Sequence, residues 1–91
     1  MTAKAHDILG DASHIMEQRR NHYGDAFDLF QNIAARFSLV LGHRVTTYEA
    51  ARLLAELKLA RLDHGYQPDS IVDGINYLAL AGALRNGKEE V

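Results

Sequence analysis

Asp69, Asp73 and Asn76 recur at spacings of four and three along a segment, Asp69 to Leu84, that is otherwise almost wholly apolar. Those spacings bring the three side chains onto one stripe of an α-helix. A carboxylate beside a core helix must meet a cation, a metal, a donor or water, because desolvating it unpaired is prohibitive. Lys58 and Arg61 lie just upstream, across a short loop, and are expected to face Asp69 and Asp73. Two chemistries are open. In one, these four residues form an internal salt-bridge cluster that fixes a hairpin. In the other, the carboxylates hold a divalent cation while Lys58 and Arg61 hold phosphate oxygens. A couple of carboxylates completed by water and substrate phosphates suits magnesium. Asn76 is too deep in the segment to cap a helix, so its amide wants another partner, such as a base or ribose group.

Glu49 and Glu56 are seven apart and share a helix face, but about 10 Å separates them, too far for one ion to bind both. Glu49 reads better as part of a helix cap with Thr46. Glu56 can pair with Arg52 one turn earlier, and is also the candidate metal ligand facing the Asp73/Asn76 stripe. Asp69 has a plainer role as N-cap after Pro68, and Asp73 as the partner of Ser70 in a capping box. The turn Arg19-Arg20-Asn21-His22-Tyr23-Gly24-Asp25 places two arginines, a histidine and a phenol beside a helix start. It could take a phosphate or base, or simply complement a helix dipole in solvent. His6, His14, His43 and His64 have no ligand spacing, and no Ser-His-Asp, Cys-His or glycine-rich phosphate-loop pattern occurs.

Four helices are expected to position these groups. The first runs from about Ala5 to Asn21 with Ile8, Ala12, Ile15 and Met16 as its apolar stripe. The second follows Gly24, with Asp25 as N-cap, and carries Phe27, Phe30, Ile33, Ala34, Phe37, Val40 and Leu41. Thr46 caps the third, Glu49 completes the capping box, and the helix ends near Asp63. The fourth extends from about Asp69 to Arg85. The loop from His64 to Pro68 is short, so helices three and four should form an antiparallel hairpin. Both are too apolar for a monomer. Helix three carries one stripe of Leu53, Leu54, Leu57 and Ala60 and another of Ala51, Ala55, Leu59 and Leu62, and helix four is apolar nearly all round. A homo-oligomer, dimer or tetramer, with these two helices at its centre is expected.

At 91 residues the chain is one domain, with a core from about 5 to 85, near the lower size limit for a self-sufficient core. Its net charge of −2 offers no bulk attraction to nucleic acid or anionic membrane. With no cysteine there is no disulfide framework and no thiolate zinc site. Neither a signal-peptide core nor an apolar run of about 20 residues is present. The expected setting is the cytoplasm.

Arg19 through Tyr23-Gly24, then Lys58-x-x-Arg61, then Asp69-Ser-x-x-Asp73-x-x-x-Tyr77 occur in an order that resembles the small, largely phage-encoded MazG-like domains of the all-α NTP pyrophosphohydrolase superfamily. The resemblance spans roughly Arg19 to Leu84. It implies a four-helix, oligomeric bundle, encoded by a phage and acting in its host's cytoplasm. It also implies magnesium- or manganese-dependent cleavage of nucleoside triphosphates to monophosphate and pyrophosphate. On this pattern Glu56, Asp69 and Asp73 would hold metal, with Glu56 and Asp73 catalytic. Lys58 and Arg61 would clamp phosphates, Tyr23 and Asn76 would contact the nucleoside, and Arg19 and Tyr77 would also bind substrate. The enzymatic pattern, however, is Glu-x-x-Glu on one helix and Glu-x-x-Asp on the next. Here Leu53 stands where the partner of Glu56 should, and the second motif reads Ser70-x-x-Asp73 with Asp69 offset by one. The alternative implied by those departures is a catalytically silent module that binds nucleotide or protein on the same fold.

Overall fold

The computed structural model describes residues 4–23 and 26–85, and the side chains of Asn21, His22 and Tyr23 lie outside that description. The expectations placed on Tyr23 as a substrate contact and on Gly24 and Asp25 as a turn and cap therefore fall outside the described residues. The described chain is all-α: α1 (Ala5–Tyr23), α2 (Ala26–Leu41), α3 (Thr47–His64) and α4 (Pro68–Arg85). Among the described residues no helix is long and apolar enough to cross a membrane.

Local chemistry sets the boundaries. Thr46 Oγ1 accepts from the Glu49 N–H at 3.0 Å and Glu49 Oε1 accepts from the Thr46 N–H at 2.9 Å, the reciprocal capping box expected of that pair. The α2–α3 turn is closed by Ser38, whose hydroxyl accepts from the Val45 N–H at 2.8 Å and donates to the Ala34 carbonyl. Gly42 adopts φ 78° there, a left-handed conformation that favours glycine. At α4 the helix begins one residue earlier than expected. Pro68 is its first residue, where a missing N–H costs nothing, and the Gln67 carbonyl accepts from the Ser70 and Ile71 N–H groups. Asp69 is thus inside the first turn rather than the N-cap, and Asp73 is beyond reach of any cap.

α3 and α4 form the expected antiparallel hairpin: Lys58 lies beside Asp73 and Gly74 near one end, and Ala50 and Ala51 share a cluster with Ala81 and Leu84 at the other. α2 contributes Phe30 and Ala34 to that cluster, and the α2–α3 turn contributes Val45. α1 packs on α4, with Ala12 buried. Alanines dominate the contacts. Ala50, Ala51 and Ala55 are the buried residues of α3, so the helices approach closely but bury little apolar volume.

Several expected core positions are open instead. Val40 and Leu41, assigned to the α2 stripe, are exposed, because the last turn of α2 lies away from the shared cluster. Neither α3 stripe is wholly inward: Ala51 and Ala55 are buried but Leu59 of the same stripe is exposed, and Leu53 and Leu57 are exposed while Leu54 packs on the core.

Candidate functional site

Three helices meet at Asp73. Its carboxylate accepts from Lys58 of α3, Oδ2 to Nζ 3.1 Å, and from Arg19 of α1, Oδ1 to Nη2 3.2 Å. The Asp73 and Lys58 side chains are only 15% and 17% exposed, whereas Arg19 is 48% exposed. One carboxylate is therefore engaged by a sheltered cation and a solvent-facing one. Two cations meet on one carboxylate there, with the exposed Asp69 carboxylate one turn away on the same stripe. The half-exposed Arg19 guanidinium is a planar fork that suits a phosphate's oxygens.

Helical geometry explains which residues converge. Lys58 faces α4, and Glu56, two residues earlier, is rotated about 200° from it, so a helix that aims Lys58 at Asp73 aims Glu56 away. Glu56 is exposed and, among the described residues, its ion pair is with Arg52, at 3.8 Å. The expectation that Glu56 faces Asp73 and Asn76 fails for this reason. Arg61 likewise stays off the carboxylates and its guanidinium reaches the Gln67 amide oxygen at 3.4 Å, an exposed and weak contact. Asp69 is exposed, on the Asp73 stripe one turn earlier. Among the described residues no three of the His, Asp and Glu side chains stand close enough together to hold a metal ion. A magnesium cage of Glu56, Asp69 and Asp73 within one chain does not fit this geometry.

Asn76 is buried and its amide donates to the Ala12 carbonyl of α1 at 2.9 Å. The amide expected to read a base or ribose is spent on tying α1 to α4. Tyr77 is half-buried with its ring edge-on to Phe30, centroids 6.4 Å apart, and works in the core.

The Arg19–Asp73 pairing was not foreseen, although the sequence held its signal. Arg19 is seven residues after Ala12, on the same face of α1, as an extension of the Ala12, Ile15, Met16 stripe. With α1 antiparallel to α4, the stripe that sets Ala12 against Asn76 sets Arg19 against Asp73.

A separate feature lies on another side of the hairpin. An apolar groove of about 150 Å³ is lined by Ala55, Leu59 and Leu62 of α3 and Ile71, Ile75 and Leu78 of α4, and none of Arg19, Lys58 or Asp73 borders it.

The model of a family described as a domain of unknown function, DUF6378, matches residues 7–85. The chain belongs to that family. No curated protein and no solved structure matches it.

Proposed function

We propose that this DUF6378 domain binds the phosphate chain of a nucleotide at the junction of α1, α3 and α4. The observation that carries the reading is the Arg19–Asp73–Lys58 triad, two cations from different helices gathered at one point, one sheltered and one open, on elements fixed by the hairpin and by the Asn76–Ala12 tie. In the absence of ligand Asp73 occupies both cations. An incoming phosphate would share those cations with Asp73, adding charge-assisted bonds at further N–H groups of the guanidinium and ammonium rather than displacing the carboxylate. Arg61, on the exposed C-terminal turn of α3, is available for a further phosphate contact. The resemblance to MazG-like domains supports a nucleoside triphosphate as the ligand, and supports a homo-oligomer in which the apolar faces of α3 and α4 are covered.

One observation favours a second reading, hydrolysis. Asp69 and Asp73 are carboxylates one turn apart on α4, the arrangement that could receive a magnesium–nucleotide complex as substrate. Water would then cleave the triphosphate to monophosphate and pyrophosphate. Pyrophosphate release from a panel of standard and modified nucleotides, with and without magnesium, separates the readings. Binding without release leaves the silent module. Release that is lost in Asp69→Asn while binding persists establishes the hydrolase. Absence of binding by every nucleotide overturns both.

A further inference from the structure

We infer that single-stranded nucleic acid binds the end of the bundle where Arg52 of α3 and Arg85 of α4 meet on the ring of Tyr48. The chain's net charge of −2 conceals a segregation. Residues 29–55 and 74–85 build the end where α2 turns into α3 and α4 finishes, and they carry Arg36, Arg44, Arg52 and Arg85 against one acid, Glu49. The excess of acid lies on the rest of the chain. Glu49 is already committed to the Thr46 cap. Among the described residues Arg36, Arg44 and Arg85 form no ion pair, and Arg52 has a loose one, 3.8 Å from a Glu56 carboxylate that is itself 59% exposed.

The ring is the second observation. Tyr48 packs partly buried against the core cluster, which fixes its position. The guanidinium carbons of Arg52 and Arg85 stand 5.9 and 5.3 Å from its centroid, and Arg52 Nη1 donates to its hydroxyl at 3.0 Å. Two like charges from separate helices are thus gathered on one aromatic platform. The α4 dipole accounts for a cation at Arg85, but not for its place on the ring. His43 and Arg44 extend the basic surface: after the Thr46 N–H and hydroxyl, they too hold the Glu49 carboxyl below its usual range. All four of the unbalanced cations are arginine, whose planar fork binds two phosphate oxygens at once and whose face stacks on a base. A single strand supplies a phosphate at every nucleotide with an unstacked base beside it. An acidic polypeptide supplies the charge and not the base. Tyr48 is ten residues before Lys58, about 15 Å along α3, so this surface is separate from the nucleotide junction and the inference does not depend on it.

Fluorescence anisotropy of labelled thymidine and uridine single strands, titrated with the protein at low salt, tests it. Glu89 and Glu90 follow Arg85 in the sequence, so the full chain is used and those acids compete in the measurement. Wild type should bind both strands. Arg52→Gln/Arg85→Gln should bind at least tenfold more weakly, with a log–log salt slope shallower by about 1. The charge-matched Lys4→Gln/Arg20→Gln should lose less than threefold. A readout free of substitutions guards against misfolding: bound strand should slow phenylglyoxal modification of Arg52 and Arg85 in wild type at least threefold and leave Arg20 unchanged. The arginine pair leaves Arg19, Lys58 and Asp73 intact, so failure here and failure at the nucleotide junction are told apart. No binding of either strand overturns the inference. So does an equal loss in the charge-matched variant, protection of Arg20 and not of the pair, or equally tight binding of poly-glutamate.

Discussion

Asp73 accepts bonds from two cations that come from different helices, and only Lys58 shares its shelter from water. Removing the carboxylate alone, in Asp73→Leu, strands the Lys58 ammonium in a mostly buried position and should cost about 3 kcal/mol in urea unfolding. Pairing it with Lys58→Met removes both charges and should return stability to within about 1 kcal/mol of wild type. Arg19→Met should cost under about 1 kcal/mol, since that group is half in solvent. Asn76→Ala should cost about 1–3 kcal/mol by deleting a buried donor to α1, a loss measurable in the same unfolding series. The residue types of the site were legible from the sequence, and their pairing was legible only in part. Spacing shows which side chains share a helix face, but choosing Arg19 over Arg61 for Asp73 requires knowing where α1 lies. Glu56 was recoverable in principle, because the rotation that turns Lys58 inward turns Glu56 outward.

The boundaries of α3 and α4 were readable because each carries its own punctuation, and the Thr46/Glu49 box is the firmest case. Thr46→Ala should lower stability by about 1 kcal/mol. Glu49 adds a pH dependence. The Thr46 backbone N–H, then the Thr46 hydroxyl, holds its carboxyl below the usual glutamate range. A depressed folded value means that its contribution is fully present above the unfolded glutamate pKa of about 4.3 and is lost as pH falls through the folded value. The urea midpoint of wild type should therefore fall further between pH 5 and about 3 than that of Glu49→Gln. At α4 the reading was displaced by one residue, since Asp after Pro resembles a cap. Proline's preference for the first helical position decided the boundary instead. On α2 and α3 the stripes named the apolar residues but not which would be covered, because burial depends on the length of the neighbouring helix as much as on periodicity.

At the scale of the whole molecule, the surplus of apolar surface was visible in the sequence as helices hydrophobic on more than one side. The structure retains that surplus as exposed Leu53, Leu57, Leu59 and Leu78. If association completes the core, the thermal midpoint should rise with protein concentration, as it does for any oligomer whose subunits unfold on separating. A midpoint independent of concentration over two decades would set the core of a single copy as sufficient. The junction of α1, α3 and α4 is most directly tested by calorimetric titration of a nucleoside triphosphate with magnesium into wild type and into Arg19→Met/Lys58→Met/Asp73→Leu, which leaves no charge stranded. The account predicts binding by wild type and at least a tenfold loss in the triple variant, with its helical spectrum unchanged. Equal affinity in the two proteins, or no heat of binding in wild type with any nucleotide tried, would contradict it.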